Sequence, residues 1–365
     1  MKWFEVSLFA LALSLSPLAA RADITIGVAG PMSGSNAAFG EQFKRGAEKA
    51  VADINAKGGV LGQKLRLVVG DDACDPKQAV SAANDLAAKG AVFVAGHYCS
   101  SSSIPASDVY AESGIVQISP ASTAVELTDR RLPNVFRVCG RNDAQAPLAA
   151  AYVAEHFKGK RVAIVDDKST FGKGVADEFR RALNAKGVKE TMNDAIVAGE
   201  KDYSPLVTKL KQAQVDVLYF GGYHPEAGLI VRQMRTQNVK TILIGADSLV
   251  TDEFWAITGQ AGEGTLLTFT PDPRLNPANA QLVQYFRGQR YEPEAYTLYT
   301  YAAIQAWSQA ATKARSTEMA KVSAALKANQ FDTVMGKIGF NTKGDVTAPG
   351  YVFYVWKNGK YVYTQ

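Results

Sequence analysis

Hydroxyls, backbone amides and a cysteine converge in the string Gly96-His97-Tyr98-Cys99-Ser100-Ser101-Ser102-Ser103. The apolar run Ala91-Val92-Phe93-Val94-Ala95 before it reads as a buried strand, and residues 104–112 after it as a helix. The serines therefore fall where a strand's carboxyl end meets a helix N-terminus. The first amides of a helix have no carbonyl partner within it, and its dipole favours negative charge there. Such a junction suits a carboxylate or another anion. Serines at this place also serve as helix caps with no ligand involved.

The compartment decides what the cysteine means. Met1-Lys2, an apolar run over 8–18 and Ala20-Arg21-Ala22 predict a secretory signal peptide over residues 1–22. No cysteine follows the apolar run to carry a lipid anchor, and no other stretch has the roughly 18 consecutive apolar residues of a membrane span. A soluble exported product is expected. Export favours pairing two of the three cysteines, Cys74, Cys99 and Cys139, and leaving one thiol. Cys74 and Cys99 follow successive predicted strands, and neighbouring strand ends in a parallel sheet lie close enough to bridge. Closing that loop stabilises by roughly 3–4 kcal/mol on the chain-entropy argument. Cys139 ends the apolar run Val135-Phe136-Arg137-Val138-Cys139, which suits a buried free thiol. Metal binding is the competing reading; against it, there is no C-x-x-C and the chain has three histidines. Neither a metal nor a cofactor is expected.

At 365 residues the chain exceeds one ordinary domain and predicts two. Its composition, 47% hydrophobic and 21% charged, is that of a globular protein. The net charge of +5 is modest, and the basic pairs Arg130-Arg131 and Arg180-Arg181 are too short for a nucleic-acid footprint. Strands are predicted over 24–29, 64–70, 91–96 and 115–119, alternating with helices over 78–89 and 104–112. Another helix places Phe43, Ala47, Ala50, Val51 and Ile54 on one stripe. The rhythm restarts with strands over 161–165, 216–220 and 241–244 and helices over 173–186, 203–212 and 226–236. Two βα series of similar size predict an α/β protein with two doubly wound parallel-sheet lobes. The last third holds helices over 278–287 and 294–314 and a hairpin centred on Asn358-Gly359.

Ligands in open α/β sheets bind beyond the carboxyl ends of the strands. The first series ends in Cys99-Ser100 and Ser119-Pro120-Ala121-Ser122-Thr123, which offer hydroxyls and amides for a carboxylate. The second ends in Asp166-Asp167, Gly221-Gly222-Tyr223 and Gly245-Ala246-Asp247, and Asp247 suits an ammonium or caps a helix. Phe39, Phe171, Tyr223 and Tyr296, with Tyr98 and Cys99 of the serine loop, could wall a side-chain pocket. His97 and His224 read as structural polar groups, and Asp71-Asp72-Ala73-Cys74-Asp75 as a capping turn without calcium-loop spacing. G-x-G-x-x-G, G-x-S-x-G, H-E-x-x-H and the Walker A lysine are all missing. Binding a zwitterion is favoured over catalysis.

The strings Ala52-Asp53-Ile54-Asn55-Ala56-Lys57-Gly58-Gly59 and Asp71-Asp72-Ala73-Cys74-Asp75-Pro76-Lys77-Gln78-Ala79-Val80 carry a further signal. With Gly96-His97, Cys99-Ser100-Ser101-Ser102, Ala198-Gly199-Glu200-Lys201-Asp202, Gly221-Gly222-Tyr223-His224-Pro225-Glu226 and Asp332-Thr333-Val334-Met335-Gly336, the chain resembles the periplasmic leucine/isoleucine/valine-binding proteins of ABC transporters. The resemblance spans the predicted mature chain. It implies a type I periplasmic-binding fold whose two lobes, 23–141 plus 271–347 and 142–270 plus 348–365, are joined by three crossovers and close on ligand by hinge motion. It implies a Cys74–Cys99 disulfide and a periplasmic monomer that serves a membrane permease. Ser100 would then hold the ligand carboxylate, Ala121, Ser122 and Thr123 the α-groups, Tyr223 those groups from the second lobe, and Asp247 the ammonium. The family often has glutamate where Asp247 stands. Phe39 and Phe171 replace tyrosines of its well-known members, and Tyr296 a phenylalanine, so the resemblance implies the α-amino-acid frame and leaves the side chain open. A sensor module of the same fold, or a binder of a related aromatic or aliphatic acid, is the alternative.

Overall fold

A computed structural model describes residues 22–347 and 350–364. The predicted signal peptide lies outside the described residues except for Ala22. Strands β1 (Ile24–Gly30), β2 (Leu65–Asp71), β3 (Phe93–Ala95), β4 (Val116–Ser119) and β5 (Val135–Arg137) form a parallel sheet in the order β2-β1-β3-β4-β5. β1 and β3 are buried along their whole length, as strands covered by helices on both faces must be. The second sheet takes β6 (Val162–Asp166), β7 (Met192–Ala195), β8 (Val217–Gly221), β9 (Ile242–Gly245) and β10 (Leu266–Phe269). β11 (Gln330–Thr333) and β12 (Gly336–Gly339) pair as a separate ribbon. β13 (Val352–Lys357) and β14 (Lys360–Tyr363) then complete the second sheet in the order β14-β13-β10-β9-β8-β6-β7.

Three crossovers join the lobes. After β5 the chain enters helix Asn142–His156, which packs on helix Thr170–Ala185 and on β10. After β10 it returns to the first lobe, where helix Ala295–Ala314 packs on helix Ala37–Ala56 and against β3 and β4. It re-enters the second sheet as β13. Helix Ala295–Ala314 buries residues all round, unlike the one-sided helix Ala37–Ala56. The two helices approach so closely that a side chain at Gly46 would put its Cβ 2.1 Å from the Thr297 carbonyl oxygen.

Three expectations need correction, and some short strands lie outside those predicted. The helix after the serines begins at Ser100, not at residue 104, with Cys99 as its N-cap. Serines compete poorly in helix interiors but fit a first turn whose amides have no helical partners. The second sheet is mixed rather than all-parallel, because β13 runs antiparallel to β10 and turns at Asn358 (φ 50°) and Gly359 (φ 80°) into β14. The run 135–137 is a strand, and the half-exposed edge strand β7 has too little alternation to be read. The Cys74–Cys99 disulfide is present, with Cα atoms 5.4 Å apart, but β2 and β3 are not neighbours. Both pair with β1, and the left-handed residues Ala73 (φ 46°) and Cys74 (φ 59°) turn the loop across the end of β1 to reach Cys99.

Replacing both Cys74 and Cys99 with serine is expected to lower stability by about 3 kcal/mol, because the unfolded chain regains the loop's freedom. Urea denaturation of the variant beside the oxidised wild type measures the loss.

Candidate functional site

The first lobe's strand-end loops are tied to one another before they meet anything else. Buried His97 places Nδ1 2.5 Å from Oδ2 of buried Asp72 and Nε2 2.9 Å from the Tyr110 hydroxyl, and Asp72 accepts the Cys74 amide at 2.8 Å. The Ser119 hydroxyl donates to the His97 carbonyl at 2.8 Å. Ser122 Oγ lies 3.1 Å from that carbonyl and 2.9 Å from that of Tyr98. The Ser122 hydroxyl thus ties the loops together. Arg137, wholly buried at the end of β5, donates to Asp345 at 2.7 Å and to the Ser122 and Ala124 carbonyls at 2.9 Å each. Residues 121–124 are held from behind.

Three predicted groups remain on this lobe. Ser100 opens helix Ser100–Glu112, which has no side-chain cap, and its Oγ accepts the Ala124 amide at 3.3 Å. Thr123 is fully buried and its hydroxyl has no hydrogen-bond partner, while its carbonyl accepts the Asn142 amide of the second lobe's first helix at 2.8 Å. Buried Ala121 directs its amide to Ser119 Oγ at 3.3 Å. Cys99 contributes its sulfur to the disulfide, and Cys139 is a buried free thiol whose pKa burial pushes up.

Across the cleft, Asp247 follows β9 and is 4% exposed. Its carboxylate accepts Gln145 Nε2 at 2.8 Å and the Tyr296 hydroxyl at 2.6 Å. Burial raises its pKa, and the two donors pull it partly back. Among the described residues no lysine or arginine pairs with it. The phenols of Tyr98, Tyr223 and Tyr296 are pushed well above their ordinary range, chiefly by burial, with the Asp247 charge adding to the effect. They stay protonated, and a buried anion without a counter-ion creates demand for a cation. Phe39, Tyr98, Tyr223, Phe171 and Tyr296 form one ring cluster across the cleft.

Sequence reasoning missed two contributors, Gln145 and Glu294, and left a third, Asp167, at a strand end without a role. Gln145 positions Asp247 from a helix whose pattern gave no sign of it. Buried Asp167 accepts the Ser169 amide and hydroxyl on Oδ1, while Oδ2 has no partner. Burial, with the charges of Glu226 and Asp166, raises its pKa to about 6 against the pull of Ser169. Helix Thr170–Ala185 packs so closely on it that a Cβ at Gly172 would sit 2.2 Å from its Oδ1. Glu294 accepts Gln42 Nε2 at 2.9 Å from the first lobe, and the Thr251 hydroxyl (3.1 Å) and Asp252 amide (2.7 Å) from the second. Among the described residues no cluster of three or more His, Cys, Asp or Glu side chains is arranged to hold a metal.

The sequence matches the family described as periplasmic binding protein over residues 23–360. It is 49% identical to a Leu/Ile/Val-binding protein homolog of Brucella melitensis over 94% of each chain. It is 48% identical to an amino acid binding protein of Pseudomonas aeruginosa over 99% of this chain and 98% of the other. The fold is similar to that of the branched-chain amino acid transporter substrate binding protein of Streptococcus pneumoniae in complex with isoleucine. That match has a TM-score of 0.85 at 25% identity and covers 93% of this chain and 97% of the other.

The raised Asp167 carboxyl makes the native state hold a proton that the unfolded chain releases, so its contribution to stability is lost as pH rises from the ordinary carboxylate value toward about 6. Asp167→Asn should therefore gain stability on the wild type between pH 4 and pH 7. Urea midpoints at both pH values check the sign.

Proposed function

Because the chain belongs to the periplasmic binding protein family, we propose that it captures a branched-chain or other apolar L-amino acid between its lobes and delivers it to the permease of an ABC transporter. It acts as an exported, periplasmic monomer and catalyses no reaction. The observation that carries this reading is Asp247, a buried carboxylate with two neutral donors and no cationic partner among the described residues. The ligand ammonium supplies that partner. Its carboxylate falls to the Ser100 amide at the uncapped helix start and to the partnerless Thr123 hydroxyl. The Ala121 backbone and the Tyr223 phenol complete the frame. One pole is contributed by each lobe, so a zwitterion satisfies both only when the lobes meet.

That division links occupancy to shape. Contacts made only in the closed form shift the population toward it, and a permease reads the closed form as loaded. Glu294 supports the same coupling, because its carboxylate bonds to both lobes at once. The relatives' names and the isoleucine complex support an amino acid as ligand.

Calorimetric titration of ligand-stripped protein tests the reading. Asp247→Asn should weaken amino-acid binding by about 2–5 kcal/mol, the usual cost of truncating one member of a desolvated charge pair. A deaminated analogue should gain nothing from the wild-type carboxylate, and unchanged amino-acid affinity in the variant would refute the ammonium role. Since only the ionised carboxyl pairs with an ammonium and burial raises its pKa, wild-type binding should also weaken as pH falls through that pKa, and the variant's should not. Glu294→Gln puts an amide donor against Gln42 and should lower affinity by about tenfold. X-ray scattering of the loaded variant should report a more open particle.

A further inference from the structure

We infer that the side-chain pocket takes a small α-amino acid, of alanine to threonine size, and that Tyr98 sets this limit. The inference rests on the zwitterion clamp proposed above and narrows its ligand below the class in the relatives' names. Tyr98 is stacked on Phe39 with centroids 4.2 Å apart and meets Phe43 and Tyr296 edge-on at 6.1 and 5.6 Å. Across the cleft its centroid lies 5.8 Å from that of Tyr223, which meets Phe171 at 5.1 Å. Phe39 likewise reaches His224 at 5.4 Å. Centroids about 4.5–7 Å apart belong to rings in direct contact. A hydrocarbon group between two rings needs about 3.5–4 Å on each side. The Tyr98–Tyr223 distance leaves no such space, so a ligand side chain must stop short of these two rings, which a methyl or hydroxyethyl group does more readily than an isobutyl or benzyl group.

Tyr98 is also hard to displace. The residue before it, His97, is bound to Asp72 and Tyr110, and the residue after it, Cys99, is in the disulfide. Phe39 and Phe43 back its ring from the first lobe. Its hydroxyl is buried and has no hydrogen-bond partner. An unsatisfied buried hydroxyl costs about 1–3 kcal/mol, which a hydroxyl on the ligand side chain removes. Serine and threonine therefore belong to the class that the pocket favours, and threonine should exceed its isostere valine.

The test is calorimetric titration of ligand-stripped wild type with alanine, serine, threonine, valine, leucine and phenylalanine. Alanine and threonine should bind at least about tenfold more tightly than leucine and phenylalanine. Tyr98→Leu should shrink the preference for alanine over leucine by about tenfold. Tyr98→Phe keeps the ring packing and should keep the size order while losing the advantage of threonine over valine; it carries the test if Tyr98→Leu does not fold. Leucine binding the wild type as tightly as alanine overturns the size limit and leaves the clamp standing. A wild type that binds deaminated acids and no amino acid overturns both.

Discussion

A carboxylate withdrawn from water and left without a cation is the constraint around which the molecule is built. Asp247 is held by Gln145 from the first crossover helix and by Tyr296 from the helix that follows the second crossover. Neither donor neutralises it. Both fix its position, so the deficit has a definite place and direction. The three segments that meet there belong to both lobes, so movement of one lobe against the other bears on this group. Burial that would be a defect in an ordinary core becomes a specification for what must arrive from outside.

Rigidity is distributed unevenly around that point. On the first lobe, His97, Asp72, Ser119, Ser122 and Arg137 consume their polar atoms on one another and on loop carbonyls. The surface proposed to receive a ligand is thereby held rigid, which lowers the ordering cost of binding. The contacts between lobes include Asn142 to Thr123, Gln42 and Asp252 to Glu294, Tyr296 to Asp247, Arg274 to Tyr361, and the ring contacts of Tyr98 and Phe39. A seam of discrete contacts between lobes that are each internally tied suits a hinge.

Much of the fold was legible because hydrophobic periodicity and turn residues act locally. The first four strands of the first lobe, the helical stripe through Phe43 and Ala47, and the Asn358-Gly359 hairpin all follow from such signals. The short strands β7 and β10 did not, since four residues carry little pattern and their pairing is decided by the whole sheet. At the site, Ser100, Thr123 and Asp247 were legible as chemically suited groups at strand ends. That the Ser122 hydroxyl already meets two loop carbonyls was not legible, because sequence cannot tell a free hydroxyl from an engaged one. Gln145 and Glu294 were invisible for a related reason: a buried amide or acid is defined by residues more than 100 or 250 positions away. The disulfide partners were read correctly from a wrong picture of strand adjacency, which the turn at Ala73 and Cys74 makes good.

The three crossovers have a consequence for how the protein is made. Helix Ala295–Ala314 covers β3 and β4, strands formed from residues 93–119, and β13 pairs with β10 only after the chain has left and returned. A ribosome that has finished β10 has therefore finished neither lobe, and the apolar face of helix Ala37–Ala56 is still uncovered. Completion of both lobes waits for the last third of the polypeptide, so the emerging chain stays pliant until synthesis is nearly over.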